Sequence, residues 1–156
     1  DLEVTSPGEY EIGGVFITGV QTNGFTKKKA DEPRNTLFVL DYNGVTIAHL
    51  GRLNRVPTQA EVEALGNVNI VLVPVGGEGV LNAAKAAEVI SLLEPSLVVP
   101  MLYAMPGSTV KFDPLNKFLK EMGLSSTETR PSLKIVRSSD LPDETQVVIL
   151  DIQKGS

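Results

Sequence analysis

The sequence predicts an α/β fold with a mixed sheet, and two stretches carry that prediction. Thr36 to Tyr42 (TLFVLDY) and Val45 to Leu50 are rich in β-branched and aromatic residues. They flank Asn43-Gly44, a two-residue turn whose positive φ angles suit a type I′ hairpin. Farther along, Asn69 to Val75 (NIVLVPV) is apolar on both faces, as a buried strand must be, and Ser96 to Met101 (SLVVPM) repeats the pattern after a helix-length gap. Strand, helix, strand at this spacing is the βαβ unit, whose strands run parallel with a right-handed crossover.

In chain order, Glu9 to Val20 (EYEIGGVFITGV) reads as two short strands meeting at Gly13-Gly14. Residues 21 to 35 are polar, carry Gly24, Lys27 to Lys29 and Pro33, and read as a loop. After the central hairpin, Gly51 ends the strand, so residues 51 to 56 form a loop at a strand's C-terminal end, where α/β proteins place functional groups. Pro57-Thr58 opens a helix in which Thr58 and Glu61 are spaced as a capping box, and Gly66 closes it. Pro74 sits near the end of its strand, as a proline must.

Asn82 is the expected N-cap of a helix from Ala83 to Glu94, stopped by Pro95. A third helix is predicted with Asp113 as its cap, Pro114 in its first position and Gly123 as its terminator. Its Leu115, Phe118, Leu119 and Met122 fall at i, i+3, i+4 and i+7, which makes one buried stripe. Leu133 to Val136 and Gln146 to Ile152 are predicted to finish the sheet, with a loop over Ser138 to Glu144 between them.

Composition bounds the function. The 156 residues suffice for one domain, and a hydrophobic content of 42% with ordinary charge describes a globular chain. No apolar run approaches the roughly 20 residues that a membrane-spanning helix needs. A net charge of −5 gives no electrostatic reason to bind nucleic acid, and Lys27 to Lys29 is too short a run to change that. Cysteine is absent, which removes both a disulfide framework and a thiolate site. A water-soluble, cytoplasmic protein is expected. The chain opens on Asp1 and enters strand-like sequence within a few residues, which suggests a processed chain or a fragment.

Few residues invite chemistry. Gly76-Gly77-Glu78-Gly79, between a strand and a helix, could offer backbone amides to an anion. It lacks both the Gly-Lys-Ser/Thr ending of a P-loop and the G-x-G-x-x-G spacing of a dinucleotide turn, so a structural turn is the favoured reading. His49 is the only histidine. A zinc site with one histidine and no cysteine would have to be mostly carboxylate, and a Ser-His-Asp triad also lacks its G-x-S-x-G elbow. His49 is therefore expected to be a strand-end histidine hydrogen-bonded to backbone. The neighbouring carboxylates Asp31/Glu32 and Asp143/Glu144 read as solvated loop residues.

Taken in order, PGEYEIGGVFITGV at Pro7 to Val20, RNTLFVLDYNGVTIAHLG at Arg34 to Gly51, ALGNVNIVLVPVGG at Ala64 to Gly77 and VVPMLY at Val98 to Tyr103 carry a resemblance. The chain resembles the C-terminal two-thirds or so of metallo-β-lactamase-fold hydrolases, in the branch related to ascorbate-6-phosphate lactonase. The resemblance implies part of a four-layer αββα sandwich, with zinc or manganese bound between two sheets. It implies a single domain over residues 1–156 that lacks the family's early H-x-H-x-D-H motif. Matching the family's remaining motifs puts Gly24 (Asn23 with a one-residue slip) where a T-x-H-D histidine belongs. Arg52 stands where the metal-bridging aspartate of H-L-G-D belongs, and Leu102 where the histidine of P-M-H-Y belongs. A guanidinium repels a dication, and leucine has no donor atom.

The resemblance thus leads to two readings. One is a non-catalytic, metal-free scaffold or interaction domain, with His49, Arg52 and Tyr103 around the former site. The other is a zinc- or manganese-dependent hydrolase of a lactone or phosphoester whose missing ligands come from another segment or chain. Half a sandwich would leave strands that are apolar on both sides uncovered, so a homo-oligomer or a partner chain is expected.

Overall fold

The computed structural model describes residues 3–21 and 35–151. Its strands are β1 Gly8–Ile12, β2 Val15–Gln21, β3 Thr36–Tyr42, β4 Val45–His49, β5 Ile70–Pro74, β6 Leu97–Met101, β7 Glu128–Arg130 and β8 Gln146–Leu150. Its helices are α1 Gln59–Leu65, α2 Ala83–Leu93 and α3 Leu115–Glu121. The strands form one mixed sheet in the order β1-β2-β3-β4-β5-β6-β8-β7. Strands β1 to β4 make an antiparallel meander, and β4, β5, β6, β8 and β7 run parallel. The α/β prediction holds, including the parallel pairing of β5 with β6 across α2.

Local chemistry explains the elements. Asn43 and Gly44 take φ angles of 52° and 75°, the left-handed pair that a type I′ turn requires. Thr58 and Glu61 form the capping box, each side chain bonding the other's backbone N–H. Asn82 Oδ1 accepts the Lys85 amide at 2.9 Å, and Glu94 caps α2 in the left-handed region just before Pro95.

Two predictions need correction. Asp113 does not cap α3, because Pro114 holds the cap position and makes no side-chain bond there. The backbone of Asp113 is spent on ties to Gly76 and Ala104, and its carboxylate turns to Lys117 at 3.2 Å. Nor does Leu133 to Val136 form a strand. The strand beside β8 is β7, while Leu133 and Ile135 lay their side chains on the sheet. An alternating apolar pattern serves either purpose, so periodicity could not separate them.

All three helices cover the same face. Leu65 of α1, five α2 residues and Phe118 and Leu119 of α3 join Ala48, Val71, Val73, Val98 and Val147 of the sheet in one buried cluster. On the opposite face a smaller cluster of Val45, Ile70, Leu97, Val99 and Val148 is roofed by Leu133, Ile135 and Leu141. The described residues therefore supply a helical layer and one sheet layer. The β1–β2 hairpin extends the sheet edge.

Candidate functional site at the strand ends

The C-terminal ends of β4, β5 and β6 lie side by side, and three loops leave them. In the first, Leu50 continues the pairing through its N–H to Leu72 O (3.1 Å), and the turn closes where Leu53 N–H donates to Leu50 O (3.2 Å). Both leucines are wholly buried and hold the loop down like two pegs, with the exposed Arg52 between them.

Asn35, the one buried polar side chain among the described residues, locks this turn. Its Nδ2 donates to Leu50 O at 3.0 Å and its Oδ1 accepts the Arg52 N–H at 2.8 Å. The fit requires glycine at 51, where φ is 60° and a Cβ would stand 2.6 Å from Asn35 Oδ1. His49 completes the turn, its Nδ1 accepting the Gly51 N–H at 3.1 Å. That bond requires Nδ1 to be unprotonated, and burial holds the imidazole pKa below its ordinary value, the same direction. His49 is thus the strand-end, backbone-bonded histidine expected.

After β5, the glycine turn folds on itself. Gly77 N–H donates to Leu81 O at 3.0 Å, and Leu81 N–H reaches back to Leu53 O at 2.9 Å, tying this loop to the first. The Gly77 and Lys85 amides are both satisfied internally, as a structural turn would have them. Gly76 has a separate reason to be glycine: a Cβ there would lie 2.0 Å from Leu102 O and 2.5 Å from the Phe112 ring.

The loop after β6 lies against Gly76. Leu102 adopts a φ of 54°, a conformation that residues with a Cβ rarely take. Asp113 N–H donates to Gly76 O (2.8 Å) and Ala104 N–H to Asp113 O (2.9 Å), which closes the loop. It encloses a cavity of about 430 Å³ lined by Leu72, Val99, Met101, Leu102, Met105 and Phe112, with Tyr103 and Ser108 as its polar groups. Burial, then the charge of Asp151, raises the pKa of Tyr103 above its ordinary value.

The candidate residues do not share one pocket. Tyr103 and Leu102 line the apolar cavity, whereas His49 faces a hollow of about 360 Å³ with Val4, Ile17, Phe38 and Leu40. Leu72, the cross-strand partner of His49, lies on the cavity side. Gly24, like Lys27 to Lys29 and Asp31/Glu32, falls outside the described residues. Asn35 escaped the sequence reading, as did the packing of Gly76 against Leu102 and Phe112, since each acts on a segment 15 or more residues away in the chain.

The donors at the strand ends do not fit a metal ion. A guanidinium stands at 52 and an alkyl group at 102, and among the described residues no group of three or more His, Cys, Asp or Glu could hold one. His49 has one ring nitrogen engaged by Gly51.

Comparison with known proteins places this geometry. A family model described as a beta-lactamase superfamily domain matches residues 3–102. A UPF0173 metal-dependent hydrolase of Pyrococcus horikoshii is 35% identical over 101 residues, covering 62% of this chain and 44% of the relative. A UPF0173 protein of Pyrococcus furiosus is 34% identical over 76 residues, 49% of this chain and 33% of the relative. The chain thus spans less than half the length of these relatives. Among solved structures, one from Thermotoga maritima described as a Zn-dependent hydrolase of the metallo-beta-lactamase superfamily superposes with a TM-score of 0.80 at 32% identity. It covers 96% of this chain, which spans 72% of that one. Igni18, a metallo hydrolase of Ignicoccus hospitalis, shares the fold with a TM-score of 0.57 at 21% identity, over 78% of this chain and 52% of its own.

Proposed function

The chain belongs to the beta-lactamase superfamily, and from that premise we propose that it is a non-catalytic member, a metal-free scaffold or interaction domain of the ascorbate-6-phosphate lactonase-like branch. One observation carries the reading: the ends of β4 and β6 carry Arg52 and Leu102, where the family resemblance puts an aspartate and a histidine. The structure around them supports it. The Arg52 turn is fixed by Asn35 and Gly51, and the Leu102 loop opens on an apolar cavity rather than on a set of converging donors. A hydrolytic site of this family needs a cation to polarise its substrate and a bound water to attack it, and the described strand ends offer no ligand set. What they offer is rigidity, with three loops tied to one another through backbone bonds. We place the protein in the cytoplasm; no helix among the described residues is long and apolar enough to cross a membrane.

A second reading has its own support. Relatives at 32–35% identity are named metal-dependent hydrolases, so the chain acts as part of a zinc- or manganese-dependent lactone or phosphoester hydrolase whose ligands come from another segment or chain. Metal content decides between the two. Native mass spectrometry of protein purified without chelator is expected to show no divalent ion, and lactone and phosphodiester substrates are expected to persist. One or two zinc or manganese ions per chain, with turnover that a chelator stops, would establish the second reading.

A further inference from the structure

Asn35 and His49 hold one peptide plane from its two sides. In the peptide that joins Leu50 to Gly51, the Leu50 carbonyl accepts from Asn35 Nδ2 at 3.0 Å, and the Gly51 N–H donates to His49 Nδ1 at 3.1 Å. The next peptide is tied by the Arg52 N–H, which donates to Asn35 Oδ1 at 2.8 Å. Of these three bonds, the one to the ring depends on a proton. The carboxamide of Asn35 donates and accepts at any pH, whereas Nδ1 accepts only while it is unprotonated and becomes a donor once the ring is charged. The bond therefore fixes the neutral ring with its hydrogen on Nε2.

The surroundings oppose the charged ring. His49 lies between Phe38 on β3 and Leu72 on β5, and Val4, Ile17 and Leu40 complete the hollow that it lines. None of these described neighbours titrates or carries a charge, and the charged residue of the turn itself, Arg52, has the same sign as a protonated histidine. Burial lowers the pKa of the ring, and the residue's own carbonyl, an acceptor for a protonated ring, offsets part of that. Backbone freedom sits at the same spot. Gly51 turns at a φ of 60° and, without a Cβ, has more conformations open to it than any other residue.

We infer that this turn is a proton-operated latch: neutral His49 holds the Leu50–Gly51 peptide, and protonation of the ring releases the Gly51 amide and turns that peptide away from it. One proton passes from solvent to Nδ1, and two N–H groups then face each other where a donor faced an acceptor. The latch is closed above the ordinary histidine pKa of about 6.5 and opens as pH falls through the lower pKa of the folded ring. Asn35 keeps its bonds to Leu50 O and to the Arg52 N–H, which confines the movement to residues 50–52. The exposed side chain of Arg52 rides on the segment that moves. The latch goes beyond the proposed function and holds under either reading of it, since it uses neither a metal nor a partner.

The test is NMR of the isotope-labelled 156-residue chain from about pH 8 to about pH 4.5. His49 is the only histidine, so its ring signals are unambiguous. The ring nitrogens are expected to report one protonation below about 6.5, and the Gly51 amide shift is expected to move with the same midpoint. Hydrogen exchange at Gly51, corrected for its intrinsic dependence on pH, is expected to become about 5-fold faster across that step, as the loss of one ordinary hydrogen bond would make it. The Ala86 amide, bonded to Asn82 O at the start of α2, is expected to show no step. In His49→Phe the step at Gly51 is expected to vanish, with fast exchange throughout. Should that variant fail to fold, the ring and amide midpoints of the parent chain decide alone. A ring that titrates while the Gly51 amide stays still overturns the inference. So does a step at Gly51 that survives in His49→Phe, or a ring that stays neutral to about pH 4.5.

Discussion

The two faces of the sheet are built from similar residues and end in different states. On the helix side, Val71, Val73, Val98 and Val147 lie under three helices, and Phe118 is fully enclosed. On the other side, equally apolar strand positions such as Ile17, Leu40 and Ile47 stay half-exposed, and among the described residues a loop segment roofs the far end of the row. Burial is therefore decided by what the chain can lay over a strand rather than by what the strand offers. The helix-covered face holds the larger buried core, and the other face is buried only under the Leu133 to Leu141 segment.

Substitutions can test that division, beginning with the largest. Phe118→Ala removes a fully enclosed ring and is expected to cost about 3–5 kcal/mol in urea unfolding. Leu40→Ala on the open face, measured at low protein concentration, is expected to cost about 1 kcal/mol or less. Equal losses would erase the distinction between the faces. At the seam where the strand ends leave the sheet, Asn35→Ala strips partners from Leu50 O and the Arg52 N–H together and is expected to cost about 2 kcal/mol, with faster amide exchange across residues 50–52. Unchanged exchange there would show that the turn does not depend on Asn35.

A smaller effect comes from Glu61, whose pKa the Arg55 guanidinium, with the Thr58 amide, lowers to about 2. A carboxyl depressed in the folded state stabilises above its unfolded pKa, so its contribution is present above about 4.5 and is lost as pH falls toward 2. Solvent at Arg55 screens the pair, so acid is expected to remove about 1 kcal/mol, and Glu61→Gln should flatten that part of the pH–stability curve. His49 gives the smallest effect. Its pKa is lowered, so the neutral form stabilises above 6.5, and this contribution fades as pH falls through its folded pKa. Nitrogen chemical shifts of the Gly51 amide, which donates to Nδ1, would report that titration directly.

Much of the helix-side architecture was legible in the sequence because its signals are local. Asn43-Gly44, the Thr58/Glu61 box, Asn82 before α2 and the Leu115 to Met122 stripe each lie within one turn or one helix. What was not legible depends on distant segments. Asp113 looks like a cap until Gly76 and Ala104 claim its backbone, and Leu133 to Val136 looks like a strand until the open face takes its side chains. At the site, the sequence placed His49, Arg52, Leu102 and Tyr103 near strand ends. It could not show that His49 and Tyr103 line separate hollows, because those hollows are lined by segments far apart in the chain.

The turn at Arg52 has one more consequence, for redesign. Asn35 grips the main chain of residues 50 and 52, and Gly51 supplies the bend, so these contacts are indifferent to the side chain at 52. The main chain at position 52 takes its shape from these two neighbours. An aspartate introduced there would inherit a backbone already bent and anchored by residues 35 and 51.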